Sequence, residues 1–120
     1  MVRAQTGDSL DAFIPQRTAV RYIGIEAPPD NTACGRQATQ RHAQLIAGGV
    51  FLEAESGFEF DAGGLRLFHA FNTNGEDVAQ LLVREGLARA TAEPHRYRQQ
   101  YLQAEAQARA ANRGCVWAMP

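Results

Sequence analysis

The stretch Val20-Arg21-Tyr22-Ile23-Gly24-Ile25-Glu26-Ala27-Pro28-Pro29 constrains the fold of this chain more than any other. Its branched and aromatic residues predict a buried strand over residues 19–25. The paired prolines then end it, because proline has no N–H to give to a ladder. By alternation, Val20, Tyr22 and Gly24 share one face, and Arg21, Ile23 and Ile25 share the other. An arginine on an apolar face needs a partner for its donors, so Arg21 is expected to be at least half-buried and paired with Asp8 or Glu26. A strand that carries an arginine and ends on a carboxylate supplies two things to a metal-assisted phosphodiester site. These are an oxygen ligand for a hard cation and a fork for phosphate oxygens.

The rest of the chain reads as short elements set off by glycine and proline. Gly7-Asp8-Ser9-Leu10 is a turn entering a strand that continues through Ile14, and Pro15-Gln16 turns back. The segment ahead of it, Val2 to Gln5, reads as a clipped first strand, as in a chain trimmed from a longer one. Pro28 to Asn31 is a loop. A helix follows from Gly35 to Ala47, with Ala38, His42, Leu45 and Ile46 along one stripe and Gly48-Gly49 as its stop. Val50 to Ala54 and Leu65 to Phe71 are strands flanking a bend at Asp61-Ala62-Gly63-Gly64. Glu76 to Glu85 is a short helix closed by Gly86, and Tyr97 to Asn112 is an alanine-rich helix closed by Gly114. The order is an α+β pattern with a small curled sheet.

Bulk properties fit one domain spanning residues 1–120, long enough for one core. Hydrophobic residues make up 45% and charged residues 21%, the balance of a globular domain rather than a disordered one. No apolar run reaches the roughly 20 residues that cross a membrane, and no basic-then-apolar leader opens the chain. The net charge of −1 provides no global positive field to draw in nucleic acid, so any such contact needs a local patch. All the basic residues are arginine, which matches a GC-rich coding bias more simply than selection for phosphate grips. Cys34 and Cys115 are too few for a zinc cluster. They leave two readings open: a disulfide in an oxidising, extracytoplasmic compartment, or packed thiols in the cytoplasm.

Seven segments together resemble the staphylococcal-nuclease family. Gly7-Asp8-Ser9-Leu10 is similar to its D-G-D-T-[IV] turn, with Thr6 in place of the first aspartate. Residues 20–28 resemble its V-R-L-x-G-I-D-x-P-E strand, and Gly35-Arg36-Gln37-Ala38 its G-x-E-A helix opening. Asp61-Ala62-Gly63-Gly64-Leu65 stands where the family has D-x-Y-G-R. Gly75-Glu76-Asp77-Val78 with Leu82-Val83-Arg84-Glu85-Gly86-Leu87-Ala88 is similar to its G-x-x-V…L-V-x-x-G-x-A helix. Ala104-Glu105-Ala106-Gln107-Ala108-Arg109 and Gly114-Cys115-Val116-Trp117 resemble its A-E-x-x-A-[KR]…G-[IL]-W ending. The resemblance implies a five-stranded oligonucleotide-binding β-barrel with three helices. It also implies Ca²⁺-dependent hydrolysis of single-stranded DNA and RNA.

Carried over residue by residue, the resemblance gives Asp8 and Glu26 as calcium ligands, with the Ala27 carbonyl as a third. Glu26 is one methylene longer than the family's aspartate. Arg21 matches the first phosphate-gripping arginine. Two positions depart from the pattern. Pro29 replaces the water-positioning glutamate, and Leu65 replaces the second arginine. Asp30 and Arg66 are the adjacent stand-ins, although a one-residue offset in a strand turns a side chain to the opposite face. Losing a transition-state donor typically costs about 10²–10³ in rate, and losing a general base roughly 10²–10⁴.

The expectation is therefore a nuclease-like domain with a degraded centre, binding single-stranded nucleic acid or a protein. The competing expectation is a Ca²⁺-dependent phosphodiesterase that uses Asp8, Glu26 and Arg21 with Asp30 and Arg66. No tyrosine stands near Ala90-Thr91-Ala92, where the family stacks one on the substrate base. Tyr97 and Tyr101 share one helix face and are expected to pack rather than stack on bases. His42, His69 and His95 lie on separate elements without metal-ligand spacing and are expected to serve packing or face solvent. Trp117 is expected to anchor the C-terminal tail.

Overall fold

A computed structural model describes residues 2–13 and 17–118, so the turn expected at Pro15-Gln16 and the end of its strand at Ile14 lie outside the described residues. The chain forms β1 (Val2–Ala4), β2 (Ser9–Phe13), β3 (Arg17–Tyr22), β4 (Ile25–Glu26), α1 (Ala33–Leu45), β5 (Val50–Glu53) and β6 (Arg66–Asn72). It continues with α2 (Val78–Arg84), β7 (Arg89–Ala90), α3 (Arg98–Ala110) and α4 (Gly114–Trp117). A mixed five-stranded sheet runs β1-β2-β3-β6-β5, and β4 pairs with β7 in a separate ribbon. β3 and β6 are the one parallel pair in that sheet; the other neighbours are antiparallel. This is the expected α+β arrangement of an oligonucleotide-binding fold, although among the described residues no ladder joins β1 to β5 to close the barrel. A short fourth helix, α4, follows the three expected.

The strand expected over residues 19–25 is broken. β3 ends at Tyr22, and β4 starts at Ile25. Gly24 turns the chain between them at φ +86°, a conformation that favours glycine. The turn resets the alternation, so Ile25 joins Val20 and Tyr22 in the core instead of sharing a face with Arg21. A period-2 reading carried straight through a left-handed glycine has no means of detecting the reset.

Helix α1 begins two residues before Gly35, because Thr32 caps it by accepting the Gly35 N–H at 2.9 Å. Its buried stripe is Ala38, His42 and Ile46. Asp77 caps α2, accepting from the Gln80 N–H, and the Tyr101 hydroxyl on α3 donates to both Asp77 oxygens at 3.0 and 2.7 Å. One side chain thus ends α2 and ties it to α3. Ala104 and Ala108 then let the two helices approach closely over Val78, Leu82 and Val83. Tyr101 is fully buried, and the Tyr97 hydroxyl donates to Glu53 at 2.7 Å, so both tyrosines serve packing. Trp117 holds the tail as expected, with the guanidinium groups of Arg89 and Arg109 over its ring.

Cys34 at the start of α1 and Cys115 in α4 form a disulfide across 81 residues of sequence. No helix among the described residues is long and apolar enough to cross a membrane. A cross-link over so long a loop restricts the unfolded chain strongly, with a chain-entropy effect of about 4.5 kcal/mol. Reduction is therefore expected to lower the unfolding free energy by about 2–5 kcal/mol. Denaturant melts with and without reductant measure this as a lower midpoint.

Candidate functional site

Asp8 sits in the loop between β1 and β2 and is buried. Its carboxylate accepts a hydrogen bond on each oxygen, from the Thr6 hydroxyl at 2.9 Å and from the Ala27 N–H at 2.9 Å. The loop packs closely on its neighbours. A Cβ on Gly7 would stand 2.8 Å from the Ala27 Cβ and 2.9 Å from the Ala38 Cβ, so no larger residue fits there. His42 on α1 fixes the loop from below. Its Nδ1 lies 2.6 Å from the Thr6 carbonyl, and its Nε2 lies 2.6 Å from the Tyr22 hydroxyl. A carbonyl can only accept, so Nδ1 carries the proton, and neutral His42 receives the Tyr22 O–H at Nε2.

Arg21 lies between two carboxylates. Its Nε is 3.8 Å from Asp8 Oδ2, and a terminal nitrogen is 3.6 Å from Asp61 Oδ2. Both separations exceed hydrogen-bond range, so the attraction is electrostatic and the guanidinium fork is not locked in a bidentate pair. The Arg21 side chain is one third exposed. Asp61 shapes its own turn, accepting from the N–H groups of Gly63 and Leu65 at 2.9 Å. Asp61 was absent from the set read from sequence. The only signal for it there was the aspartate opening the Asp61-to-Leu65 segment.

The structure brings Asp8, Arg21 and Ala27 into one contact set, joined by Asp61. Glu26, Asp30 and Arg66 are exposed and lie outside it. Glu26 lines a cavity of about 300 Å³ beside the disulfide, together with Ala27, Pro29, Cys34 and Arg89. Asp30 is on the loop that leads into the Thr32 cap, where the Pro29 carbonyl accepts both the N–H and the hydroxyl of Thr32. The β3–β6 register pairs Val20 with Arg66 and Arg21 with Leu67. By alternation Leu67 takes the Arg21 face, and Arg66 takes the other. The Arg66 guanidinium stacks over Phe68 at 5.0 Å and Phe60 at 5.6 Å.

A calcium ion takes six to eight oxygen ligands. Of the two carboxylates, only Asp8 is buried within this contact set, and Glu26 is exposed and outside it. Ala27 meets Asp8 through its N–H rather than its carbonyl. As arranged, these residues do not fit a calcium ion.

Burial is the main cause that holds the His42 imidazole below its ordinary value of 6.5; the Thr6 carbonyl and Asp8 oppose it. The unfolded chain therefore takes up this proton first as pH falls past about 6.5, and folding stability declines from there down to the lower folded value. Above 6.5 both states are neutral and the contribution is constant. His42→Leu removes this pH dependence and leaves the Tyr22 hydroxyl and the Thr6 carbonyl without partners, at about 1–3 kcal/mol for each buried group. Thermal melts of both proteins between pH 5 and 8 check the two effects together.

Among curated proteins nothing matches the chain. A family model described as staphylococcal nuclease homologue matches residues 19–119, which includes β4 to α4 and all but the start of β3. With the mixed sheet, the helices packed on it and the Asp8–Arg21 pair in place, the chain belongs to the family of staphylococcal nuclease homologues.

Proposed function

We propose that this staphylococcal-nuclease-like domain binds single-stranded nucleic acid and hydrolyses it little or not at all. The observation that carries this reading is the β3–β6 register. It gives the Arg21 face to Leu67, while Arg66 lies against Phe60 and Phe68. Phosphodiester hydrolysis in this family implies two arginines on the phosphate and a carboxylate on the water. Here one arginine faces Asp8 and Asp61, and Pro29 stands in the position of that carboxylate.

The Arg66 stack suggests the binding surface. Phe60 is 60% exposed and carries a guanidinium over its ring. An aromatic face beside an arginine is a sequence-tolerant platform for an unpaired base and its phosphate. The Cys34–Cys115 disulfide supports an extracytoplasmic, oxidising compartment for the protein.

One observation favours the opposing reading, a Ca²⁺-dependent nuclease. The Arg21 fork is one third exposed and makes no hydrogen bond to its carboxylates, so it remains able to receive a phosphate. Cleavage of labelled single-stranded DNA with excess Ca²⁺ and with chelator, beside a Glu26→Ala control, decides between the two. The binding reading expects no calcium-dependent cutting in either protein. Calcium-dependent cutting that disappears in Glu26→Ala would overturn it and establish a nuclease with a rearranged site.

Binding itself is tested by fluorescence anisotropy at fixed salt. Phe60→Ala is expected to weaken association with single-stranded DNA by about 1–3 kcal/mol, the range for one stacked base. Arg66→Ala is expected to weaken it as well and to flatten its salt dependence.

A further inference from the structure

The three histidines read from sequence as unrelated are not all apart. His69 on β6 is fully buried, and His95, in the segment before α3, lies with its ring centroid 5.6 Å from that of His69. Glu55, just beyond β5, reaches the same place, with Oε1 2.6 Å from His69 Nε2. Glu55, His69 and His95 each offer a ligand atom, and the three atoms lie within 4.8 Å of one another. We propose that Glu55, His69 and His95 form a binding site for a divalent ion of the zinc class, with water in the fourth position.

Ligand chemistry selects the metal. Two imidazoles and one carboxylate suit zinc and its first-row neighbours, whereas calcium and magnesium take oxygen ligands. Three protein ligands of this kind, with an open fourth position, form a recognised zinc arrangement. The distances are close to what the ion needs. Bonds of about 2.0–2.2 Å in a tetrahedron set ligand atoms roughly 3.4 Å apart. The 2.6 Å His69–Glu55 contact has to open slightly, and the longest separation has to close by about an ångström or more.

Two further observations point to the same place. Each ring has one nitrogen engaged, His69 Nε2 by Glu55 and His95 Nδ1 by the Tyr97 N–H at 3.2 Å, while His69 Nδ1 and His95 Nε2 are buried without a partner, although buried ring nitrogens are normally satisfied. The Glu55 carboxylate is also already oriented, because the Arg96 N–H donates to both its oxygens at 2.9 and 3.0 Å. Such outer contacts fix the direction of a metal-ligating group. An ion bound here would clip the segment leading into α3 onto β6 and the end of β5.

The test is calorimetric titration of Zn²⁺ into the tag-free, oxidised full chain, with thermal melts alongside. One equivalent is expected to bind, and at about 100 times its dissociation constant to raise the thermal midpoint by roughly 10 °C. Glu55→Gln and His95→Ala, chosen because His69 is fully buried, are each expected to weaken binding by at least about 100-fold. That exceeds most of the ~10–100-fold range for losing an outer contact. Co²⁺ in the same site is expected to show tetrahedral visible bands that both variants lack. Glu26→Gln, at an exposed carboxylate elsewhere, is expected to leave Zn²⁺ affinity unchanged. Absence of stoichiometric binding, affinity unaltered in both ligand variants, or equal competition by Ca²⁺ would overturn the proposal.

Discussion

The buried chain Tyr22–His42–Thr6 is the constraint on which the arrangement of this protein depends. It joins a central strand, the first helix and the loop carrying Asp8 through two 2.6 Å contacts to one imidazole. Tyr22 and His42 are fully buried, Thr6 is half-buried, and each polar group finds its partner within the chain. The result is directional in a way that apolar packing is not, because a shift of the helix or strand would leave the Tyr22 hydroxyl unsatisfied in the core. Asp8 inherits its position from this chain. The Tyr22 N–H also donates to the Asp8 carbonyl at 2.7 Å, so backbone and side chain of the same strand hold the same loop.

From that fixed point the electrostatics of the site follow. Asp8 is buried and carries its charge among donors: a hydroxyl, an amide and a guanidinium. Arg21 in turn lies between Asp8 and Asp61, in the loop before β2 and in the turn preceding β6 respectively. The arginine on β3 thereby links segments that lead into its two neighbouring strands, β2 and β6. A charge with both neighbours of opposite sign is well matched without either ion pair being a tight hydrogen bond. This is a stable way to keep an arginine half-buried whether or not a phosphate ever reaches it.

Much of the fold was legible because glycine and proline punctuate it. Gly48-Gly49, Gly86 and Gly114 mark the ends of α1, α2 and α3 within a few residues, and the Ala38, His42, Ile46 stripe lies inward as its spacing requires. The two-residue strands β4 and β7 were not legible, since so short a pairing has no periodicity of its own. The break at Gly24 was missed for a related reason: both flanking isoleucines are apolar, and hydropathy does not register a change in backbone handedness. At the site, Asp8 and Arg21 were read from their motifs and are in contact. The partnership of Arg21 with Asp61 depends on strand order, which no local pattern encodes. The same holds for His69 and His95, gathered by a strand and a distant loop that share no repeat.

The chain therefore contains two clusters of ionisable groups with different ligand chemistry. Around Asp8 every oxygen is engaged by a protein donor, and the carboxylate acts as a structural anchor for Ala27, Thr6 and Arg21. Each Asp8 oxygen keeps a second lone pair, but Glu26 is exposed and outside the cluster, so the oxygen donors a hard cation needs do not converge there. Around His69 the donors do converge. Two imidazoles and a carboxylate each bring a ligand atom within 4.8 Å of the others, and the carboxylate is oriented by a backbone amide. An added ion there would take the place of the short His69–Glu55 contact. On these physical grounds the position the family resemblance implies gathers fewer metal donors than one it does not. The difference arises from where the fold brings ligand atoms together.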